Sequence, residues 1–157
     1  MNRIASLLPV LALWGAAVPA VAADEGAVPY WASIDAQVAN MRVGPGESYR
    51  IDWVYRRVHL PVKVIRREGA WRQIEDPDGE KGWMRDLLLS RQRAAMVKSS
   101  EPAEIHAEGR SSSRLLWRVE PGVVGLLGEC AEGWCMFDTD GHKGFVREDA
   151  LWGAGEP

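Results

Sequence analysis

The chain repeats itself, and that limits its fold more than any other feature. The run Trp71-Arg72-Gln73-Ile74, followed by Asp78-Gly79-Glu80-Lys81-Gly82-Trp83-Met84-Arg85-Asp86, has an echo further on. There the chain reads Trp134-Cys135-Met136-Phe137, followed by Asp140-Gly141-His142-Lys143-Gly144-Phe145-Val146-Arg147-Glu148. Gly69-Ala70-Trp71 matches Glu132-Gly133-Trp134, Trp53 matches Trp117, and Asn40-Met41-Arg42 falls where Glu104-Ile105-His106 stands. The matched pairs lie 62 to 64 residues apart, which makes two copies of one unit, over 32–91 and 93–153. Self-similarity at a fixed period is the mark of one structural unit used more than once.

Each copy reads as short strands and tight turns. In the first, Ser33 to Arg42 alternates loosely, and Ile51 to Tyr55, Leu60 to Arg66, Trp71 to Glu75 and Gly82 to Met84 are rich in β-branched and aromatic residues. Gly44-Pro45-Gly46-Glu47-Ser48 is turn-forming, its glycines expected to supply positive φ. Asp78-Gly79 and Asp140-Gly141 are hairpin signals. No window sustains a helical stripe, and Arg85 to Leu88 has room for a single 3₁₀ turn. The fold class is therefore all-β. A unit of this size buries little surface alone, and closing its sheet into a small barrel limits exposed edges.

The chain begins with the pattern of an export signal, residues 1–23. Arg3 precedes an apolar run from Ile4 to Val21, and Ala20-Val21-Ala22 offers a cleavage pattern after Ala22 or Ala23. Pro9, Pro19 and the short length argue against a permanent span, and no later stretch is long and apolar enough for one. Cleavage removes Arg3 and takes the formal net charge from −3 to −4. That balance is too mild to point to nucleic acid. A periplasmic or secreted protein is expected, in a compartment where two cysteines usually pair.

The first copy resembles the bacterial SH3 (SH3b) family. The residues that carry the resemblance are Asn40-Met41-Arg42-Val43-Gly44-Pro45-Gly46, Tyr49, Leu60-Pro61-Val62-Lys63-Val64, Gly69-Ala70-Trp71-Arg72-Gln73-Ile74, Gly82-Trp83-Met84 and Leu87-Leu88. The second copy keeps Gly133-Trp134 and Gly144-Phe145-Val146-Arg147, with Glu108-Gly109-Arg110 in place of the Gly-Pro-Gly loop. The resemblance implies two tandem SH3-like small β-barrels, exported and tied to cell-envelope recognition. Where eukaryotic SH3 domains carry a Pro and a Tyr for polyproline binding, this chain has Arg85-Asp86-Leu87-Leu88. A proline-helix groove is not expected.

Tyr49, Trp53, Tyr55, Trp71 and Trp83 are the candidate ligand-binding residues, because aromatic rings combine large area with a polar edge. A small barrel also needs large residues inside, and at least two of the five are expected there. Trp71 and Tyr49 are the leading pair, lining a groove beside Gly44 to Tyr49. Aligning Trp134 with Trp71 puts Cys135 at Arg72 and Cys130 near Arg67. Arginines seldom bury unpaired, so a Cys130–Cys135 disulfide is expected as a water-facing staple across a hairpin. The C-x₄-C spacing is not that of a redox motif, and adding His142 leaves a zinc site short of a fourth ligand.

Nothing in the spacing suggests catalysis. His59, His106 and His142 are scattered, Ser111-Ser112-Ser113 reads as a loop, and no glycine-rich loop opens a helix for phosphate. No cofactor or metal is expected. The function expected is an exported, non-catalytic binding module for cell-wall peptide or another envelope component. The alternative is a protein–protein adaptor or regulator of an exported enzyme, without wall affinity. Neither reading sets an oligomeric state.

Overall fold

The computed structural model describes residues 27–157, so the expected export signal lies outside the described residues. The first unit holds seven strands: β1 (Tyr30–Ile34), β2 (Ala39–Arg42), β3 (Ile51–Tyr55), β4 (Pro61–Glu68), β5 (Trp71–Glu75), β6 (Lys81–Arg85) and β7 (Leu89–Ser90). A 3₁₀ turn at Asp86–Leu88 links the last two. The second unit holds β8 (Ala94–Val97), β9 (Ala103–His106), β10 (Leu115–Val119), β11 (Val124–Ala131), β12 (Trp134–Thr139), β13 (His142–Arg147) and β14 (Leu151–Trp152), with its own 3₁₀ turn at Glu148–Ala150. The sheet orders are β3-β2-β6-β5-β4-β1-β7 and β10-β9-β13-β12-β11-β8-β14. Adding seven to each label of the first gives the second, so the sequence repeat is a repeat of topology.

Each sheet curls around one core. Tyr55 from β3 at one edge and Ile34 from β1 near the other share a cluster with Met41, Val62, Ile74 and Met84. Ile105, Leu127, Cys135, Phe137 and Val146 form the corresponding cluster in the second unit. Where β6 crosses β2, Gly82 permits the approach: a Cβ there would lie 2.5 Å from Met41 Cγ and 2.9 Å from the Arg42 carbonyl oxygen. Gly144 sits equally close to Ile105 and His106 at the matching crossing. This accounts for the repeated Lys-Gly-aromatic motif: backbone approaches backbone there, and a side chain would hold the strands apart.

The segment expected to alternate from Ser33 to Arg42 is two strands. β1 pairs with β4 and β7, and β2 pairs with β3 and β6. β1 shows no alternation because both of its faces are covered. Ile34 points into the first core, while on the other face Trp31 meets the second unit and Ser33 meets the connecting residue Gln92. Trp31 Nε1 donates to the Gly155 carbonyl at 3.0 Å, its ring meets Trp152 edge-on at 4.8 Å, and Ser33 Oγ donates to the Gln92 carbonyl at 2.9 Å. Met96 and Val124 of the second unit also pack against the first core. No helix among the described residues is long and apolar enough to cross a membrane.

Candidate functional site

The loop between β2 and β3 is built around Tyr49. Three backbone hydrogen bonds shape it: Val43 N to Arg50 O, Gly46 N to Gly44 O, and Tyr49 N to Gly46 O. The Tyr49 ring lies on the loop's own glycines. A Cβ on Gly44 would stand 2.5 Å from ring carbons, and one on Gly46 would stand 3.2 Å away. Neither glycine has positive φ. The loop therefore needs them for room, not for the left-handed conformation expected from sequence. Tyr49 is 48% exposed.

Two arginines hold this surface in place. Arg42 Nη1 donates to the carbonyls of Glu47 at 2.9 Å and Tyr49 at 2.7 Å. Arg85 pairs with Glu47 at 2.8 Å while lying over the Trp71 ring at 5.6 Å. Trp71 is partly buried and stands opposite Arg85 in the β5–β6 register. Tyr49 and Trp71 are thus linked indirectly, through the loop's Glu47 and the Arg85 that lies over Trp71.

The other three candidates lie elsewhere. Trp53, 58% exposed, stands on edge strand β3 beside a cleft of about 690 Å³ that Leu60, Asp76 and Met96 also line. Tyr55 is only 6% exposed and belongs to the core. Its hydroxyl donates to Asp76 Oδ2 at 2.9 Å. Burial, and then this hydrogen bond to a carboxylate, push the phenol pKa well above its ordinary value. Trp83 is likewise 6% exposed, with the Arg66 guanidinium over its ring at 5.6 Å. Tyr55 and Trp83 are therefore among the large residues that the small barrel buries, although Tyr55 still reaches the wall of the cleft beside Trp53.

The second barrel repeats the loop without the aromatic. Ala107 N to Arg114 O, Arg110 N to Glu108 O, and Ser113 N to Arg110 O reproduce the three bonds. His106 takes the role of Arg42, its Nδ1–H donating to the Ser113 carbonyl at 3.0 Å. Ser113 stands where the first barrel has Tyr49. The arginine–tryptophan stack survives, with Arg147 over Trp134 at 5.7 Å, but Arg147 pairs with Asp149 at 2.9 Å instead of with the loop. Glu104 is held below the usual carboxylate range by its hydrogen bond from Arg118 and then by His106. The first barrel thus has exposed aromatics that the second lacks.

Cys130 and Cys135 are paired across β11 and β12 as a disulfide, with Cα atoms 4.0 Å apart. The bridge is not fully water-facing. Cys130 is exposed, but Cys135 is buried in the second core. The arginine comparison misled here, because Arg72 itself is only 11% exposed in its side chain. It satisfies its charge against Gly69 O, Trp71 O and Asp86 instead of in water. Among the described residues no cluster of His, Cys, Asp or Glu could hold a metal ion.

Two curled seven-stranded sheets of the same strand order, each around its own core, make this a tandem SH3-like β protein. The chain belongs to the family described as Bacterial SH3 domain, whose pattern matches residues 35–91 and 99–153. Domains of this family are typically cell-wall binding modules of cell-wall hydrolases. One relative, from Bacillus subtilis (strain 168), bears the name Putative N-acetylmuramoyl-L-alanine amidase YrvJ. It is 27% identical over 109 residues, covering 69% of this chain. The chain spans only 20% of that relative's length. Among solved structures, NlpC2 from Trichomonas vaginalis matches 80% of this chain and 48% of its own at 16% identity, with a TM-score of 0.35. An NlpC/P60 family protein from Bacillus cereus ATCC 10987 matches 78% and 56% at 13% identity, with a TM-score of 0.36.

Proposed function

We propose that this chain is an exported, non-catalytic binding module that recognises cell-wall peptide through the first barrel, on the surface flanked by Tyr49 and Trp71. One observation carries the reading: Tyr49 is half exposed yet seated on Gly44 and Gly46, in a loop that Arg42 and Arg85 tie down. A ring fixed before the ligand arrives loses little freedom on binding. Family membership and the disulfide, which suits an oxidising compartment, support the envelope setting.

The test is retention on purified peptidoglycan. The full chain should be retained, and Tyr49→Ala and Trp71→Ala should each lose most of the retention with the fold intact by circular dichroism. No retention of the unmodified chain would remove the wall reading. The adaptor reading would then be favoured by crosslinking that enriches a single exported enzyme.

A further inference from the structure

The turn between β3 and β4 holds the backbone oddity of the first barrel. His59 has φ of 64°, in the left-handed region, and its N–H donates to Ile34 O at 2.8 Å. At the same point of the second barrel stands Gly122, with φ of 83° and its N–H donating to Val97 O at 2.7 Å. The two turns are the same turn. Glycine takes this conformation without a steric penalty, and a residue with a Cβ does not. The first barrel therefore places an imidazole where the fold asks for glycine.

That imidazole brings a second cost. His59 Nδ1 is buried without a hydrogen-bond partner. A strained residue with an unmet polar atom points to a role outside the fold's own needs. The ring lines a cleft of about 380 Å³ between the two barrels, within the size range of small-ligand sites. With Nδ1 enclosed, any hydrogen bond from the ring to a ligand comes from Nε2.

The walls of the cleft differ in charge. On the first barrel, Arg57 lies beside His59 with no ion pair or side-chain hydrogen bond among the described residues. On the second, Asp140 stands exposed at the β12–β13 turn. Its neighbour Asp138 is already engaged, accepting Gly141 N–H at 2.8 Å and facing Lys143 at 3.7 Å. Val124 and Leu126 supply apolar surface in the same cleft. A ligand matching this order carries a carboxylate at one end, an ammonium at the other and small apolar groups between.

We propose that the cleft between the barrels is a second binding site, for a short peptide with free termini. The peptide's carboxylate meets Arg57 and His59, and its ammonium meets Asp140. The site is separate from the Tyr49–Trp71 surface and does not depend on it.

The test is a nuclear magnetic resonance titration of the full chain with trialanine, beside N-acetyl-trialanine-amide as control. Free trialanine should give saturable shifts at His59, Val124 and Asp140, and the capped peptide should not. His59→Gly, which installs the residue of the second copy and so should keep the fold, should weaken binding at least tenfold, as should Arg57→Gln. Absence of saturable shifts, an equal response to the capped peptide, or unchanged affinity in His59→Gly would overturn the proposal. Shifts confined to Tyr49 and Trp71 would overturn it too while leaving the wall-binding surface standing. Loss of peptidoglycan retention with the cleft still responding would do the reverse.

Discussion

Tyr55 Oη donates to Asp76 Oδ2 at 2.9 Å, and the other oxygen of the same carboxylate accepts the N–H groups of Asp78 and Glu80, both at 2.9 Å. One buried carboxylate thus joins edge strand β3 to the β5–β6 turn. Tyr55→Phe removes the hydroxyl and leaves Oδ2 without that donor inside the protein. It should cost about 1–3 kcal/mol in urea unfolding.

The same pair gives a pH signature. Burial and the Asp76 hydrogen bond raise the Tyr55 pKa in the folded state, so the native protein keeps a proton that the unfolded chain gives up near its ordinary pKa of about 10. This contribution is complete below about pH 10 and is lost as the pH climbs above it. The unfolding midpoint of the unmodified chain should therefore fall more between pH 9 and pH 11 than that of Tyr55→Phe. Parallel curves for the two would show that Tyr55 is not the group responsible.

Gly44→Ala tests whether Tyr49 must be seated. The added Cβ would stand 2.5 Å from the ring, so the ring must leave the loop. Because Tyr49 is outside the core, global stability should change by less than about 1 kcal/mol, as for surface substitutions. Peptidoglycan retention should nonetheless drop toward that of Tyr49→Ala. A variant that unfolds much more readily would mean that the ring's seat stabilises the barrel as a whole.

The disulfide closes a short hairpin, since the bonded residues are five apart in sequence. The chain-entropy relation gives about 2 kcal/mol for so small a loop. Reduction should lower stability by that amount without abolishing the fold, because Phe137, Ile105 and Val146 keep the second core filled. Cys135→Ser alone should cost more than Cys130→Ser, since only Cys135 is buried and its hydroxyl would enter that core. Equal losses in the two variants would contradict the inside–outside placement of the bridge.

The duplicated topology was legible because the residues that shape it are local. Gly82 and Gly144 mark strand crossings, Asp78-Gly79 and Asp140-Gly141 mark turns, and these recur in register. The Cys130–Cys135 facing was legible for the same reason, since hairpin register follows from a short turn. What escaped depends on distant covers. Trp83 looks like any strand aromatic until Arg66 is placed over it. β1 loses its alternation only because the second barrel covers its outer face. The strained setting of His59 escaped as well, because its counterpart Gly122 is recognisable only from their shared positive φ and matching backbone hydrogen bonds.

That outer face of β1 yields the last prediction. Trp31 reaches across the two barrels, donating to Gly155 O and meeting Trp152 edge-on. Met96 and Val124 extend the contact into the first core. A barrel of this size is marginal alone, so each should depend on its neighbour and the chain should unfold in one transition. Trp31→Phe keeps an aromatic ring at the junction and loses the N–H donor with part of the indole, which should cost about 1–3 kcal/mol with cooperativity retained. Trp31→Ala removes the ring from the junction and should cost about 3–5 kcal/mol. It should also split the calorimetric transition in two as the barrels lose their shared face. A single transition in Trp31→Ala would show that Met96, Val124 and the Ser33–Gln92 bond suffice to couple the barrels.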